Sequence, residues 1–157
     1  MNISSASNLP PDPEITARAW CLEKTAITDI VSTRVATRLP QNPTLPFLVI
    51  TNGGGSLISD TSQAAINGTS IIFNCYAGRW GGSGSKGEPD YTTASNLAQA
   101  VYKECFIESN NQVTTASGVK ALIYGFTIQS TPTRVEESEL LIANFELVAF
   151  MTYRASA

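Results

Sequence analysis

Histidine is absent from all 157 residues. That removes the commonest general base, the commonest zinc ligand and every catalytic triad built on an imidazole. Cysteine is scarce: Cys21, Cys75 and Cys105 lie far apart, each in an apolar pattern, with no C-x-x-C spacing. Such thiols read as buried and reduced, and their odd number argues against a disulfide scaffold or a zinc ribbon. Paired acids are missing too. Glu136, Glu137 and Glu139 cluster in a polar stretch and Asp29, Asp60 and Asp90 are scattered, so no two carboxylates share one buried face as acid–base work requires. The expectation is a chain that is not an enzyme and needs no cofactor or metal. A basic excess is also lacking, with 10 Lys and Arg against 13 Asp and Glu and a formal charge of −3. Sequence-specific nucleic-acid binding is therefore not expected. No apolar run approaches a membrane span, and the opening MNISSASNLPPD has neither a basic start nor an apolar core. The reading is a cytosolic protein with no signal peptide and no membrane partner.

What is present describes one α+β domain over residues 13–157, preceded by a flexible, Pro-rich arm at 1–12. Asp12 followed by Pro13 is a helix start with a mechanism: the carboxylate caps free N–H groups, and proline suits the first helical position. Ile15, Ala19, Leu22 and Ala26 recur at helical spacing, which predicts a first helix over 13–25. Residues 26–51 then compress three features: a helical turn carrying Ile27, Ile30 and Val31, a short edge strand at 34–38, and the core strand Phe47-Leu48-Val49-Ile50. Pro40, Pro43 and Pro46 lie between the strands; they fix φ and remove backbone donors, which keeps them at a sheet edge.

Asn52-Gly53-Gly54-Gly55 reads as a turn or loop, with a weak strand at 63–66 after it. Asn67-Gly68 is the dipeptide best suited to a two-residue hairpin turn. Residues 69–77 alternate strictly, with Ile71, Phe73, Cys75 and Ala77 on one face. Residues 78–90 form a long Gly- and Ser-rich loop, and 92–107 a second helix with Leu97, Ala98, Val101, Tyr102, Cys105 and Phe106 on its apolar face. The remainder reads as a long hairpin. One strand, 119–129, places Leu122, Tyr124, Phe126 and Ile128 together; a polar loop covers 131–138. The other strand, 141–154, places Phe145, Leu147, Ala149, Met151 and Tyr153 opposite Asn144, Glu146, Thr152 and Arg154. The fold class expected is α+β, a mainly antiparallel sheet with two helices packed on it.

Gly82-Ser83-Gly84-Ser85-Lys86-Gly87 is a literal G-x-G-x-x-G between a strand and a helix. Its context is wrong for a dinucleotide: Glu88-Pro89-Asp90 separate the last glycine from the helix, and no parallel βαβ unit surrounds it. A surface loop is the better reading. Trp80, at the head of this loop beside Arg79, either anchors an interface or folds back over the sheet.

The order of these elements resembles the small tail-completion and tail-terminator proteins of tailed phages. The resemblance rests on Ile27–Val31 with Arg34-Val35, Leu39-Pro40 and Leu45-Pro46-Phe47-Leu48-Val49, on the strand at 71–77, on the helix face Ala94/Leu97/Ala98/Val101, and on the final Phe150-Met151-Thr152-Tyr153-Arg154. It covers about residues 13–154 and implies a structural virion protein with no catalytic residues to carry over. Proteins of that family form homo-oligomeric rings, commonly hexamers, at the head-proximal end of the tail. There they stop tail-tube growth and join tail to head, so the implied partners are further copies of the chain, the tail-tube protein and the head–tail connectors. DNA passes through the lumen, the location is the virion tail, and assembly takes place in the host cytoplasm. The insertion at 79–90 departs from the family's pattern. The assembly surface expected here comprises the segments around Arg38, Arg79 and Trp80. A head-side connector of similar fold, a cellular α+β binding module and an enzyme without histidine are the alternatives.

Overall fold

The apolar positions select one sheet, and all three helices pack on the same side of it. The computed structural model describes residues 11–60, 65–81, 87–136 and 142–156. Its elements are α1 (Pro13–Glu23), α2 (Thr25–Val31), β1 (Val35–Ala36), β2 (Phe47–Asp60), β3 (Ala65–Arg79), β4 (Glu88–Pro89), α3 (Tyr91–Ile107), β5 (Asn111–Thr114), β6 (Lys120–Val135) and β7 (Ala143–Ala155). The sheet runs β1-β2-β3-β7-β6-β5, with β4 on the end of β3. Every pairing is antiparallel except β1 with β2, so the sheet is mixed. The expected α+β class holds, with three helices in place of two.

Asp12 caps α1 as its sequence implies: one carboxylate oxygen accepts from the N–H groups of Glu14 (2.9 Å) and Ile15 (3.1 Å). Pro11, assigned to the flexible arm, is buried; residues 1–10 of that arm lie outside the described residues. The helix stops at Glu23, short of the expected 25. Lys24 is extended (φ −94°, ψ 109°), its N–H turns back to the Cys21 carbonyl, and α2 starts afresh at Thr25. The buried stripe of α1 is Thr16, Ala17, Ala19, Trp20 and Cys21, whereas Ile15 is 46% exposed and Ala26 is also exposed. Trp20 sets that rotation. Its indole is fully buried, with its ring 4.6 Å from Phe126 and 6.3 Å from Phe73. One large aromatic removed from water outweighs an isoleucine at the helix start.

The alternation along 69–77 is realised in β3, where Ile71, Phe73, Cys75 and Ala77 are buried beneath the helices. Leu48 and Ile50 of β2 and Leu147, Ala149 and Met151 of β7 extend this layer. On α3, Leu97, Ala98, Val101 and Cys105 are buried against it; Phe106, expected on the same face, is 73% exposed.

Three local expectations fail because each segment gains a strand partner. Asn67-Gly68 is no turn: Asn67 pairs with Leu57 on one side and Tyr153 on the other, and the ladder continues to Ala65. Gly53-Gly54-Gly55 is no loop but a bulge within β2, where register shifts between Asn52 and Gly55 and Gly54 takes φ +102°. Thr131–Val135, expected in a polar loop, continues β6. A bulge between Ile123 and Gly125 reverses the facing of β6. Ala121 and Ile123 are buried before it and Phe126 and Ile128 pack on the core after it, so Leu122 and Tyr124 fall on the opposite side. Strand β5 has no counterpart among the sequence expectations. The proposed strand start at 63–64 falls outside the described residues.

Gly55 is required where it stands. A Cβ there would collide with the Gly68 carbonyl oxygen and lie 2.7 Å from Thr69 Cβ. Gly55→Ala is expected to cost on the order of 2 kcal/mol, since backbone must move to relieve overpacking. In thermal unfolding, a melt equal to wild type would show that the bulge relaxes freely.

Candidate assembly interface

Of the segments around Arg38, Arg79 and Trp80, Trp80 meets the proline loop that follows Arg38 through Asn42. Arg34 organises the proline loop after β1: its Nε donates to the Pro46 carbonyl (2.8 Å), while its own carbonyl accepts from Leu48 N–H (3.0 Å). Pro43 is buried and the Leu45–Pro46 bond is cis. Trp80, just beyond β3, is half-buried and donates from Nε1 to Asn42 Oδ1 at 3.3 Å. The indole therefore folds back and ties the two loops together. Arg38 is exposed and its neighbour Leu39 half-buried.

The loop after β3 is shorter than its composition implies. Gly78, at φ +138°, and Arg79 still belong to β3 and pair with Pro89 and Glu88 of β4. Arg79 and Glu88 form an ion pair of 2.7 Å with both side chains about 70% exposed, so it contributes at most about 1 kcal/mol. Residues 82–86 lie outside the described residues. The surrounding topology is antiparallel on both sides of β3, which removes the βαβ setting a dinucleotide loop requires. Asp90 caps α3 by accepting from Thr93 N–H (3.0 Å) and Thr93 Oγ1 (2.6 Å), and these bonds hold its carboxyl below the usual range. Beside it, the Arg134 guanidinium lies 3.7 Å from the centroid of the Tyr91 ring.

At the same end, on the helix-free face, Asn144 pairs across from Tyr76. The alternation sets it with Glu146, Thr152 and Arg154 on the polar face of its strand, yet it is 2% exposed. Its Nδ2 donates to Asn74 Oδ1 at 3.3 Å, while its own Oδ1 is buried with no hydrogen-bond partner among the described residues. The sequence carries no signal for this, because one amide in an alternating strand looks like any other outward polar residue.

A further polar cluster is buried elsewhere in the fold. Glu108 accepts from Trp20 Nε1 (2.6 Å) and Asn111 Nδ2 (3.3 Å) and is ion-paired with Lys24. Lys24 Nζ also lies 5.6 Å from the centroid of the Trp20 ring. This cluster joins α1 to the α3–β5 connection. Cys21, Cys75 and Cys105 are free and buried, as their apolar settings imply, and burial pushes all three thiols well above their ordinary range. Among the described residues no group of Cys, Asp and Glu is placed to hold a metal ion, and no helix is long and apolar enough to cross a membrane. A shallow open groove of about 300 Å³ lies over the β2 bulge, lined by Asn52, Thr69 and Tyr153 among others.

Fold and surface define a two-layer α+β protein, three helices on one face of a curled mixed sheet with a loop-built end. Among solved structures, the chain is similar to one from the virion of a native gene transfer agent particle. That likeness has TM-score 0.54 and 11% identity, covering 98% of this chain and 100% of the other. No protein-family model matches the chain, and no curated protein matches it in sequence.

Proposed function

We propose that this chain is a structural virion protein of a tailed phage or phage-like particle. In this reading it forms a ring at the head-proximal end of the tail, ends tail-tube growth and joins tail to head. The observation that carries the proposal is the end-to-end fold correspondence with a chain of a gene transfer agent virion. The order of elements on which the tail-terminator resemblance rests supports it: an N-terminal helical pair, an edge strand with a proline loop, a long strand pair, α3 and a final antiparallel pair. The role is non-enzymatic, in keeping with the absence of histidine and with three thiols held in their unreactive protonated form. A ring subunit needs heterologous contacts that close by rotation, and no chemistry. A lumen that passes DNA should not grip phosphate, which suits a mildly acidic chain.

The loop-built end around Arg38, Asn42, Arg79 and Trp80 is the surface assigned to the tail tube or connector. Trp80→Ala with deletion of residues 82–87 is expected to leave a folded subunit that supports filled heads but yields unjoined or overlong tails. Phage complementation followed by electron microscopy reads this. Normal tail length and full infectivity in the complete absence of the gene would overturn the terminator role; normal-length tails that fail to attach to heads would favour a head-side connector.

A further inference from the structure

Among the described residues no helix or strand layer packs on two surfaces at opposite sides of the molecule, and their chemistry matches. The first is the helix-free face of the sheet. β3 and β7 pair without interruption from Asn67 to Ala77. With β2 and β6 alongside, at about 3.3 Å per residue and about 4.8 Å between strands, the face spans roughly 700 Å². That is close to the roughly 800 Å² per partner of a standard stable interface. Its composition is that of an interface core. Ile72, Val148 and Phe150 are half-buried across its middle, and among the described residues of β2, β3 and β7 register places two charges on it, Glu146 near the centre and Arg154 at one end. Exposed sheet faces ordinarily carry charge at their outward positions, whereas interface cores are depleted of it.

The second surface is the outer side of α3. Phe106 and Ile107 are 73% and 61% exposed, and the Tyr102 ring stacks on Phe106 at 6.4 Å. Lys103 is exposed and lies between Phe106 and Ile107 on the helix circumference, turned away from the buried Leu97–Val101 stripe. The patch is a cation flanked by apolar side chains; the sheet face offers an anion flanked by apolar side chains. Among the described residues neither Lys103 nor Glu146 has an ion-pair partner.

We infer that a second copy of this chain covers the sheet face, with Phe106 and Ile107 of one subunit on Ile72, Val148 and Phe150 of the next and Lys103 paired to Glu146. A two-fold contact would bury one of these surfaces and leave the other in water. A head-to-tail contact buries both at once, and its repetition closes a ring or extends a filament. The inference rests on the proposed ring and assigns its lateral contact, separate from the loop-built end.

Cysteine cross-linking tests it, because the three native thiols are buried. Ile107→Cys and Val148→Cys proteins, each with a wild-type thermal melt, are mixed under mild oxidation. A disulfide-linked heterodimer should form in the mixture and no dimer in either protein alone. Lys103→Glu and Glu146→Lys should each weaken self-association at least tenfold in sedimentation velocity, and combining them in one chain should restore most of it. Dimers from either cysteine variant alone, or undiminished association of both charge reversals, would overturn the assignment. Rings seen by electron microscopy without the mixed cross-link would sink this contact and leave the ring standing. A wild-type chain that stays monomeric in solution and on purified tails would remove both.

Discussion

Leu97→Asp is expected to yield no soluble folded protein. Leu97 is fully buried at the centre of α3, within the cluster that includes Phe73, Leu147 and Trp20. An ionised carboxylate placed there has no cation within the cluster. Burial of an unpaired charge costs several kcal/mol even after the group neutralises itself by taking up a proton. Loss of the leucine packing adds about 2–5 kcal/mol, and a domain of this size has about 5–15 kcal/mol in total. Asn96→Asp, one residue earlier on the exposed side of the same helix, is the matched control and should melt within about 2 °C of wild type. Soluble yield and far-ultraviolet circular dichroism read both. A folded Leu97→Asp protein with a wild-type melt would refute the core assigned to α3.

Glu108→Ala is expected to be the next most damaging change. It removes the acceptor for the Trp20 indole and the Asn111 amide and leaves Lys24 beside the Trp20 ring without its counter-charge. Loss of one member of a largely buried ion pair costs on the order of 3 kcal/mol. For a chain of this length that is a drop of about 6–12 °C in melting temperature. The same cluster predicts a pH dependence. Burial on its own raises the Glu108 pKa; hydrogen bonds from Lys24 and Trp20, the Lys24 charge and the Asn111 bond together overcome it, so the carboxyl sits below its ordinary 4.5. A depressed folded value means the unfolded chain binds the proton first. The stabilisation is therefore present above 4.5 and is lost as pH falls through the folded value. The stability gap between wild type and Glu108→Gln, measured by urea denaturation, should be widest near neutral pH and shrink steadily below pH 4.5. A gap that stays constant across that range would show that Glu108 gains nothing from its charge.

Legibility along the chain follows how local each signal is. The Asp12-Pro13 start of α1 was readable because a cap is made within three residues. The buried alternation of β3, the buried alternation of β7 and the α3 core of Leu97, Ala98, Val101 and Cys105 were readable because period alone places them. The misplaced elements share one cause. Asn67-Gly68 and Gly53-Gly54-Gly55 have the composition of turns, yet each found a neighbouring strand whose hydrogen bonds outweigh local preference. The facing of Leu122 and Tyr124 was misread because a single extra residue at the Gly125 bulge inverts a period of two. At the candidate interface, Arg79 and Trp80 stood out as an Arg–Trp pair at a loop head. That Trp80 would reach Asn42, 38 residues away, is a fact of chain closure and has no local trace.

The sequence by itself determined the fold class, because its two hydrophobic periods require helices packed on a sheet. The tertiary structure alone decided which surfaces remain. Phe106 read as part of the apolar face of its helix until Leu97, Ala98, Val101 and Cys105 packed on the sheet and turned it outward. Asn144 read as one of the polar residues alternating along its strand, and the structure buries it. Periodicity sets which residues share a face, whereas the partner each face meets depends on contacts between segments dozens of residues apart. Those contacts compete as free energies of burial, and no local stretch of sequence contains that competition.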